Sequence, residues 1–555
     1  MKFDLNADDH ILFESSRARV NPVSFILGDL QGSGTDEQSH QRSEHDDQNA
    51  DDRTPQPTER TRLLPETGQA YLSPDDPAVS PYNIWSVRAL RAVSLLALAI
   101  SFIWWTFLLV SIFVSPPMMH ARGSGFFAFS YTTLATGYLV LGLLFFTVPS
   151  KATTIWGSIL AGLLLVDMIV ILAVPRIRLE EGWVGIASVA WVVAISLYQV
   201  IQNQAVTWGK REEEERLTGR EETRRSLQEW LALLVETVVL VVMTIATVLF
   251  TATLILRARD ASLEPPGQRY SVRGDSYQVH LACVGNNTTD NAHEPTILLE
   301  GDYGPVEYTL QPFIDEAYQN GVISRYCYWD RPGLGWSDNA PSPHSAGMAV
   351  DVLSEALALA DESGPWVVVS AGVGSLYSRL FASRHLLEVR GIFLIDPLHE
   401  TYLKDIGKPS RGFVLWLRGV ISPLGLDRLA GALVRGRTRE DRVVGRSAYQ
   451  SGKFIKAKLQ ESLVAVSMTA AEVQSARHIQ MGATPLVVVS SGQEIRRNSE
   501  WAKFQEDLSH ITNKLLSWDV VHDAPHEIWT NAEGRSVLEQ RLRDIVKESK
   551  ISQPR

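Results

Sequence analysis

The distribution of hydrophobic and polar positions divides the chain into three regions. The first 87 residues are rich in Ser, Asp, Glu, Gln and Pro and poor in aromatic residues, so they cannot bury enough apolar surface to offset the entropy of ordering. Long apolar stretches follow, and beyond residue 259 short apolar runs alternate with amphipathic segments. The pattern predicts a disordered acidic tail (1–87), a transmembrane domain (88–259) and an α/β domain (260–550).

The middle region contains five apolar stretches, each long enough to cross a bilayer, which takes about 20 helical residues. They run over 90–114, 126–148, 154–174, 183–202 and 230–256. We therefore expect an all-α bundle of five transmembrane helices. Asp167 and Glu236 fall inside two of them, and such carboxylates either handle ions or protons or face the bundle as hydrogen-bonded groups. The sequence does not show that the two acids meet at one depth.

Basic residues predict the orientation of the bundle, because cytosolic flanks carry an excess of Lys and Arg. Arg88 and Arg91 precede the first stretch, Lys151 lies between the second and third, and six basic residues crowd the loop between the fourth and fifth. The N-terminus is thus expected in the cytosol and the C-terminal domain in a lumen or outside the cell.

Two further features agree with that orientation. Asn286 and Asn287 begin overlapping N-glycosylation sequons, which are used only on the lumenal side. Cys283 and Cys327, the only cysteines, either form a disulfide in an oxidising compartment or remain two buried thiols.

The segment 59–64, ERTRLL, resembles the acidic dileucine sorting signals of vacuolar and lysosomal membrane proteins, which favours an endomembrane; an incidental Leu pair is the alternative.

The C-terminal region contains a short, fully apolar strand, a tight turn and a helical pattern, in that order. The strand is Val367 to Val369, and the five positions of the turn read Ser370, Ala371, Gly372, Val373 and Gly374. These positions resemble the nucleophile elbow G-x-S-x-G of the α/β-hydrolase family, in which a serine sits on a strained turn. Gly372 occupies the place of the serine, which removes both the strain of a Cβ and the attacking oxygen.

Four other segments extend the resemblance to the α/β-hydrolase family over roughly 268–547. WDRPGLGWSD (329–338) is similar to the family's Y-D-R-x-G-x-G-W-S-D loop, and the segments 391–397, 484–492 and 518–528 are similar to its sixth, seventh and eighth strands. The resemblance implies a mostly parallel eight-stranded sheet with a helical cap at about 401–480, preceded here by the five-helix bundle and the tail.

The resemblance also implies which residues surround the elbow. His526 occupies the position of the catalytic histidine, and the acid is either Asp396, at the end of the sixth strand, or Glu494, after the seventh. Catalysis by His526 through an activated water remains an alternative to a covalent route.

Backbone donors and neighbouring serines complete the expected site. The oxyanion hole would use the N–H of Val373 and one from Asp302 or Tyr303, so the site could still bind a carbonyl or carboxylate group. Ser370 and Ser375 are alternative nucleophiles, and either would require a slipped elbow.

Charge distribution and motifs limit the classes of binding partner that the sequence indicates. The chain carries a net charge of −11, yet residues 401–459 hold thirteen basic and four acidic residues. These basic residues either contact anionic lipid headgroups or cover a solvated lid. No pattern indicates a cofactor, a nucleotide, nucleic acid or a metal, and the histidines, such as His280 and His385, lack partners at ligand spacing in the sequence.

Three functional classes therefore remain. The first is a pseudohydrolase that binds a lipid-like or acyl ligand, or a protein partner. The second is a working esterase or lipase with a displaced nucleophile or an activated water. The third is a transporter-like bundle that uses Asp167 or Glu236, with the hydrolase-like domain as its regulator.

Overall fold

The computed structural model describes residues 81–119, 121–219, 226–285, 294–479 and 482–551. All of them belong to one compact unit. Residues 1–80 of the predicted acidic tail, which include the dileucine segment, and both sequon asparagines, Asn286 and Asn287, lie outside the described residues. The last residues of that predicted tail, from Trp85 to Val87, are instead helical and begin the first transmembrane helix.

Five helices form the N-terminal part, with mean hydropathies from 1.4 to 2.6. They are α1 (Trp85–Phe113), α2 (Phe126–Leu144), α3 (Lys151–Ala173), α4 (Pro175–Thr218) and α5 (Leu227–Asp260). Ser150 caps α3 by accepting from the Thr153 N–H, and Ser226 forms a capping box with Glu229 at the start of α5. By length and composition all five can cross a membrane, which confirms the five predicted transmembrane helices.

The two carboxylates of the bundle lie at different heights along α5. Asp167, on α3, is fully buried and accepts a hydrogen bond from Tyr131 at 3.0 Å, and the Tyr131 ring meets Phe250 of α5 edge-on with centroids 5.9 Å apart. Glu236, which is also buried, lies on α5 itself. Since Glu236 is fourteen residues before Phe250, the two positions are separated by about 21 Å along the helix axis. The two acids therefore occupy different depths.

The C-terminal part is built on one eight-stranded sheet in the order β1-β2-β4-β3-β5-β6-β7-β8. The strands are β1 (Gln268–Val272), β2 (Tyr277–Val284), β3 (Thr296–Glu300), β4 (Tyr326–Trp329), β5 (Trp366–Ala371), β6 (Val389–Ile395), β7 (Pro485–Ser491) and β8 (Lys514–Val521). β2 pairs antiparallel with β1 and β4, and the remaining pairs are parallel. This is the α/β-hydrolase fold that the sequence predicted.

Helices cover both faces of the sheet, as buried parallel strands require. Alternate residues of β5 enter different cores: Trp366 and Val368 pack into one cluster, Val367 and Val369 into the other. The helices are α6 (Gln311–Gln319), α7 (Ala346–Leu359), α8 (Gly374–Arg384), α9 (Leu403–Ile406), α10 (Pro409–Ile421), α11 (Leu426–Leu433), α12 (Arg439–Val443), α13 (Gly452–Val464), α14 (Ala470–His478), α15 (Gly492–Arg497), α16 (Ser499–Ser509) and α17 (Ala532–Ile551).

The helices inserted between β6 and β7 form the cap, and the cap packs against the bundle. The apolar contact joins three buried cap residues to six buried bundle residues: Leu415, Ile455 and Leu459 with Leu108, Ile112, Phe126, Ala128, Phe129 and Val184. Buried ion pairs lie beside it. Asp260, at the end of α5, binds Arg442 at 2.6 Å and Arg428 at 3.3 Å. These two cap arginines are therefore neither solvated nor free for lipid, unlike either sequence-based expectation.

A disulfide joins Cys283 and Cys327, which stand directly opposite each other on β2 and β4. The first of the two alternatives for the cysteines is thus confirmed. The bond closes a segment of 44 residues that contains β3 and the loop after it.

Replacing both cysteines, Cys283→Ser with Cys327→Ser, should lower the free energy of unfolding by about 2–4 kcal/mol, because the cross-link restricts the unfolded chain. The measurement is the thermal unfolding of the purified full chain in detergent. Reductant should lower the Tm of the wild type to that of the double variant and leave the variant unchanged. Equal Tm values without reductant would contradict the prediction.

Candidate active site

The elbow is formed between β5 and α8. Gly372 has φ +47°, in the left-handed region that side chains rarely adopt, and its N–H donates to the Ile395 carbonyl at 3.1 Å. A Cβ on Gly374 would overlap with the Gly301 carbonyl oxygen, so the start of α8 approaches the loop after β3 closely. The sharp turn predicted from the sequence is present, and it lies against the predicted oxyanion loop.

The carboxylate of Asp302 occupies the place of the missing nucleophile. A Cβ built on Gly372 would overlap with Asp302 Oδ1 and lie 2.9 Å from His526 Nε2. Asp302 Oδ1 accepts the Val373 N–H at 2.8 Å, and Oδ2 lies 3.2 Å from His526 Nε2. One side chain therefore fills both the space of a serine and the backbone donor expected to form the oxyanion hole.

Asp396, and not Glu494, contacts the imidazole of His526. Asp396 Oδ2 lies 2.6 Å from His526 Nδ1, and Oδ1 accepts from the Ser491 N–H and the Trp501 indole N–H. Asp396 is fully buried. Glu494, in the first turn of α15, instead pairs with the neighbouring Arg497 at 2.9 Å.

The two alternative nucleophiles have other partners. The Ser370 hydroxyl lies 2.8 Å from the Ser378 hydroxyl, and the Ser375 hydroxyl donates to the Gly372 carbonyl at 2.7 Å. Both serines are fully buried. The structure thus gives both hydroxyls partners within the elbow and not at the imidazole. The N–H of Tyr303, expected as an oxyanion donor, is hydrogen-bonded to the Asp302 carboxylate.

Electrostatics make Asp302 and His526 an ion pair. Burial on its own would raise the pKa of Asp302, but the His526 imidazolium and the Val373 N–H outweigh it and hold that pKa at about 2. Burial likewise opposes protonation of His526, but the carboxylates of Asp302 and Asp396 raise its pKa well above the usual value. A protonated imidazole between two carboxylates cannot accept a proton, so His526 is not a general base in this state.

Aromatic residues of the cap cover the oxyanion loop. The Tyr303 ring stacks on Tyr449 with centroids 6.2 Å apart and meets Phe454 edge-on at 5.4 Å. A Cβ on Gly304 would overlap with the Tyr449 hydroxyl. The ammonium of Lys458 lies 4.4 Å from the Tyr303 ring centroid, and burial lowers the pKa of this lysine to about 8. The site is therefore lined by charged groups at the elbow and by aromatic rings over the oxyanion loop.

Sequence reasoning missed three features. It treated Asp302 only as a backbone donor. The signal in the sequence is an acidic residue in the oxyanion loop combined with a glycine in place of the nucleophile serine. Sequence reasoning did not identify Trp501, which holds Asp396. It also found no partners for His280, whereas the fold brings that ring to 3.1 Å from Asp330 and 3.5 Å from Glu307. Those partners are distant in sequence and meet only in the fold.

The five apolar helices and the hydrolase fold define a membrane protein with a hydrolase-like domain. A Schizosaccharomyces pombe relative, described as an uncharacterized protein, is 35% identical over 527 residues, which cover 88% of this chain and 96% of the relative. The chain therefore belongs to the same family as that protein. A family model described as "Region of unknown function (DUF2417)" matches residues 59–283, which include the five helices.

Two other similarities are more distant. A Saccharomyces cerevisiae protein, described as an uncharacterized vacuolar membrane protein, is 28% identical over 320 residues, or 49% of each chain. A solved carboxylesterase structure from Nitrososphaera gargenis is 14% identical, with a TM-score of 0.35 over 50% of this chain and 99% of that one. The fold assignment rests on the strand order and the elbow.

The charge of Asp302 should stabilise the protein over a defined pH range. The raised pKa of His526 means that pairing contributes fully below about pH 6.5 and is lost as pH rises through the folded pKa. The low pKa of Asp302 means that its contribution is lost only as pH falls toward 2. Asp302→Asn should therefore lower the Tm most between about pH 4 and 6.5 and least at alkaline pH.

Thermal unfolding across pH 4–9 measures this difference. His526 is one-third exposed, so solvent reduces the size of the effect but not its direction. Asp523→Asn, at a largely exposed acid, is the matched control and should give a small difference with a different pH profile. A Tm difference for Asp302→Asn that grows with rising pH would contradict the assigned ion pair.

Proposed function

We propose that this chain is a multi-pass protein of the vacuolar or another endomembrane, whose hydrolase-like domain is a pseudohydrolase that binds a lipid or acyl-type ligand, or a protein partner. The observation that carries the proposal is the carboxylate of Asp302 beneath Gly372. Gly372 supplies no serine oxygen, and the Asp302 carboxylate both occupies the Val373 N–H and keeps His526 protonated. Each of these three effects opposes ester hydrolysis through a serine.

The ligand class follows from what remains accessible. While Asp302 accepts the Val373 N–H, a ligand carbonyl cannot use that donor. The partly exposed rings of Tyr303 and Tyr449, which pack on the buried Phe454, offer apolar surface instead, and such surface suits an acyl chain. The description of the Saccharomyces cerevisiae relative as a vacuolar membrane protein supports a membrane-derived ligand.

A second candidate function has its own support. Asp302 is ionised, and its Oδ2 faces His526, so the carboxylate could itself be the displaced nucleophile. Oδ2 would attack a saturated carbon and form an ester, while the leaving group departs with the bonding electron pair and takes a proton from His526. The deprotonated imidazole would then activate a water to attack the carboxyl carbon, which releases an alcohol and regenerates Asp302.

The transporter-like alternative has less support. Asp167, on α3, and Glu236, on α5, lie at different depths, because Asp167 connects through Tyr131 to Phe250, which is fourteen residues beyond Glu236 on α5. A shared ion site needs its ligands at one depth.

A pair of substitutions tests the pseudohydrolase. Gly372→Ser alone should stay inactive toward p-nitrophenyl butyrate, because its side chain meets the Asp302 carboxylate. Asp302→Ala alone should also be inactive, because it supplies no oxygen. The combination should hydrolyse the ester and react with a fluorophosphonate probe at residue 372, since removing the carboxylate frees both the space and the Val373 donor and lets His526 lose its proton.

Two controls keep the test specific. Adding Asp396→Asn to the active combination should reduce its rate by about 10²–10⁴-fold, the usual contribution of an oriented acid–base residue. Wild-type hydrolysis of the ester or of an alkyl halide, abolished by Asp302→Ala, would overturn the pseudohydrolase and favour the carboxylate nucleophile.

The proposed orientation places the N-terminus in the cytosol and the hydrolase-like domain in the lumen. The disulfide and the basic loops support it. In sealed microsomes a C-terminal epitope should resist added protease until detergent is present, and endoglycosidase should shift the mobility of the wild type but not of the Asn286→Gln, Asn287→Gln variant. Digestion of the epitope in intact vesicles would contradict this orientation.

A further inference from the structure

A buried cluster of one imidazole and two carboxylates lies beneath the oxyanion loop. It contains His280 on β2, Glu307 in the short helical turn Val306–Tyr308, and Asp330 directly after β4. His280 and Asp330 are completely buried, and the Glu307 side chain is 9% exposed. Two carboxylates removed from water in this way are costly unless a positive charge or a shared proton compensates them.

The hydrogen bonds around His280 determine which nitrogen faces the carboxylates. His280 Nε2 lies within hydrogen-bond distance of the Pro266 carbonyl oxygen. A carbonyl only accepts, so Nε2 carries a proton and Nδ1 is the ring nitrogen that faces the carboxylates and can act as a metal ligand. That Nδ1 is 3.1 Å from Asp330 Oδ2 and 3.5 Å from Glu307 Oε1. Three electron-pair donors therefore converge on one point.

The carboxylates keep unused oxygens at that point. Both oxygens of Glu307 and Oδ1 of Asp330 are buried without a hydrogen-bond partner among the described residues. Asp330 Oδ2 accepts the Trp336 N–H at 2.9 Å, which fixes the orientation of its carboxylate. An unpartnered carboxylate at this depth is costly, and a bound cation would remove the cost.

We propose that His280, Glu307 and Asp330 bind a divalent cation of the zinc class. A tetrahedral ion with nitrogen and oxygen ligands at about 2.0 Å separates those ligands by about 3.3 Å, and the two measured separations, 3.1 and 3.5 Å, lie on either side of that value. The Nε2–H donated to Pro266 and the Trp336 N–H are outer-shell bonds of the kind that orient metal ligands.

The position of the site gives it a structural role. Its three ligands come from β2, from the loop after β3 and from the end of β4. Glu307 is five residues beyond Asp302, so the cation would fix the loop that delivers Asp302 to the elbow. Because the ligands are buried, the ion would enter as the domain folds.

Metal content tests the proposal in the full chain, purified in detergent without chelator or metal-affinity resin. The wild type should carry about one zinc per chain by inductively coupled plasma mass spectrometry, and Glu307→Gln, which keeps the side-chain shape, should carry at least tenfold less. Glu316→Gln, at an exposed acid in the same domain, is the matched control and should keep the zinc.

Thermal stability supplies a second measurement. A strong chelator should lower the Tm of the wild type, added zinc should restore it, and Glu307→Gln should respond to neither. Wild-type protein with less than a tenth of an equivalent and no chelator response would overturn the proposal and leave a proton shared between the two carboxylates. One equivalent of calcium or magnesium, or zinc retained in Glu307→Gln, would also overturn it.

Discussion

One small volume between the elbow backbone and His526 can hold a single side chain, and the rest of the site depends on which one. A serine at position 372 and a carboxylate at position 302 exclude each other by volume, since a Cβ on Gly372 overlaps with Asp302. They also set opposite charge states on His526, because Asp302 keeps the imidazole protonated. Sterics, oxyanion hole and proton state are thus linked through one position.

Local patterns in the sequence predicted the fold well. The five spans, the elbow turn and the loop 329–338 are encoded by contiguous residues, so their periodicity and glycine positions are informative. The sequence does not decide between a disulfide and two buried thiols, because only the strand register brings Cys283 opposite Cys327. Register depends on the completed sheet and not on the strands alone.

The site was less predictable because its decisive contacts join distant segments. Asp302 and Gly372 are 70 positions apart, and only the close approach of α8 to the loop after β3 points the carboxylate into the elbow. The choice between Asp396 and Glu494 likewise needed the side-chain partners that Ser491 and Trp501 provide. The cluster of His280, Glu307 and Asp330 was unpredictable for the same reason. Its residues lie on three separate elements, so their spacing along the chain does not indicate that they meet in the fold.

The contact between cap and bundle has a practical consequence for handling the protein. The cap packs against helices α1, α2 and α4 through Leu415, Ile455 and Leu459. Arg442 of the cap forms an ion pair with Asp260 at the end of α5. A fragment that begins after residue 260 would expose these apolar cap residues to water. It would also leave the guanidinium groups of Arg428 and Arg442 without the carboxylate of Asp260. Biochemistry on the hydrolase-like domain therefore requires the entire polypeptide in a lipid or detergent environment.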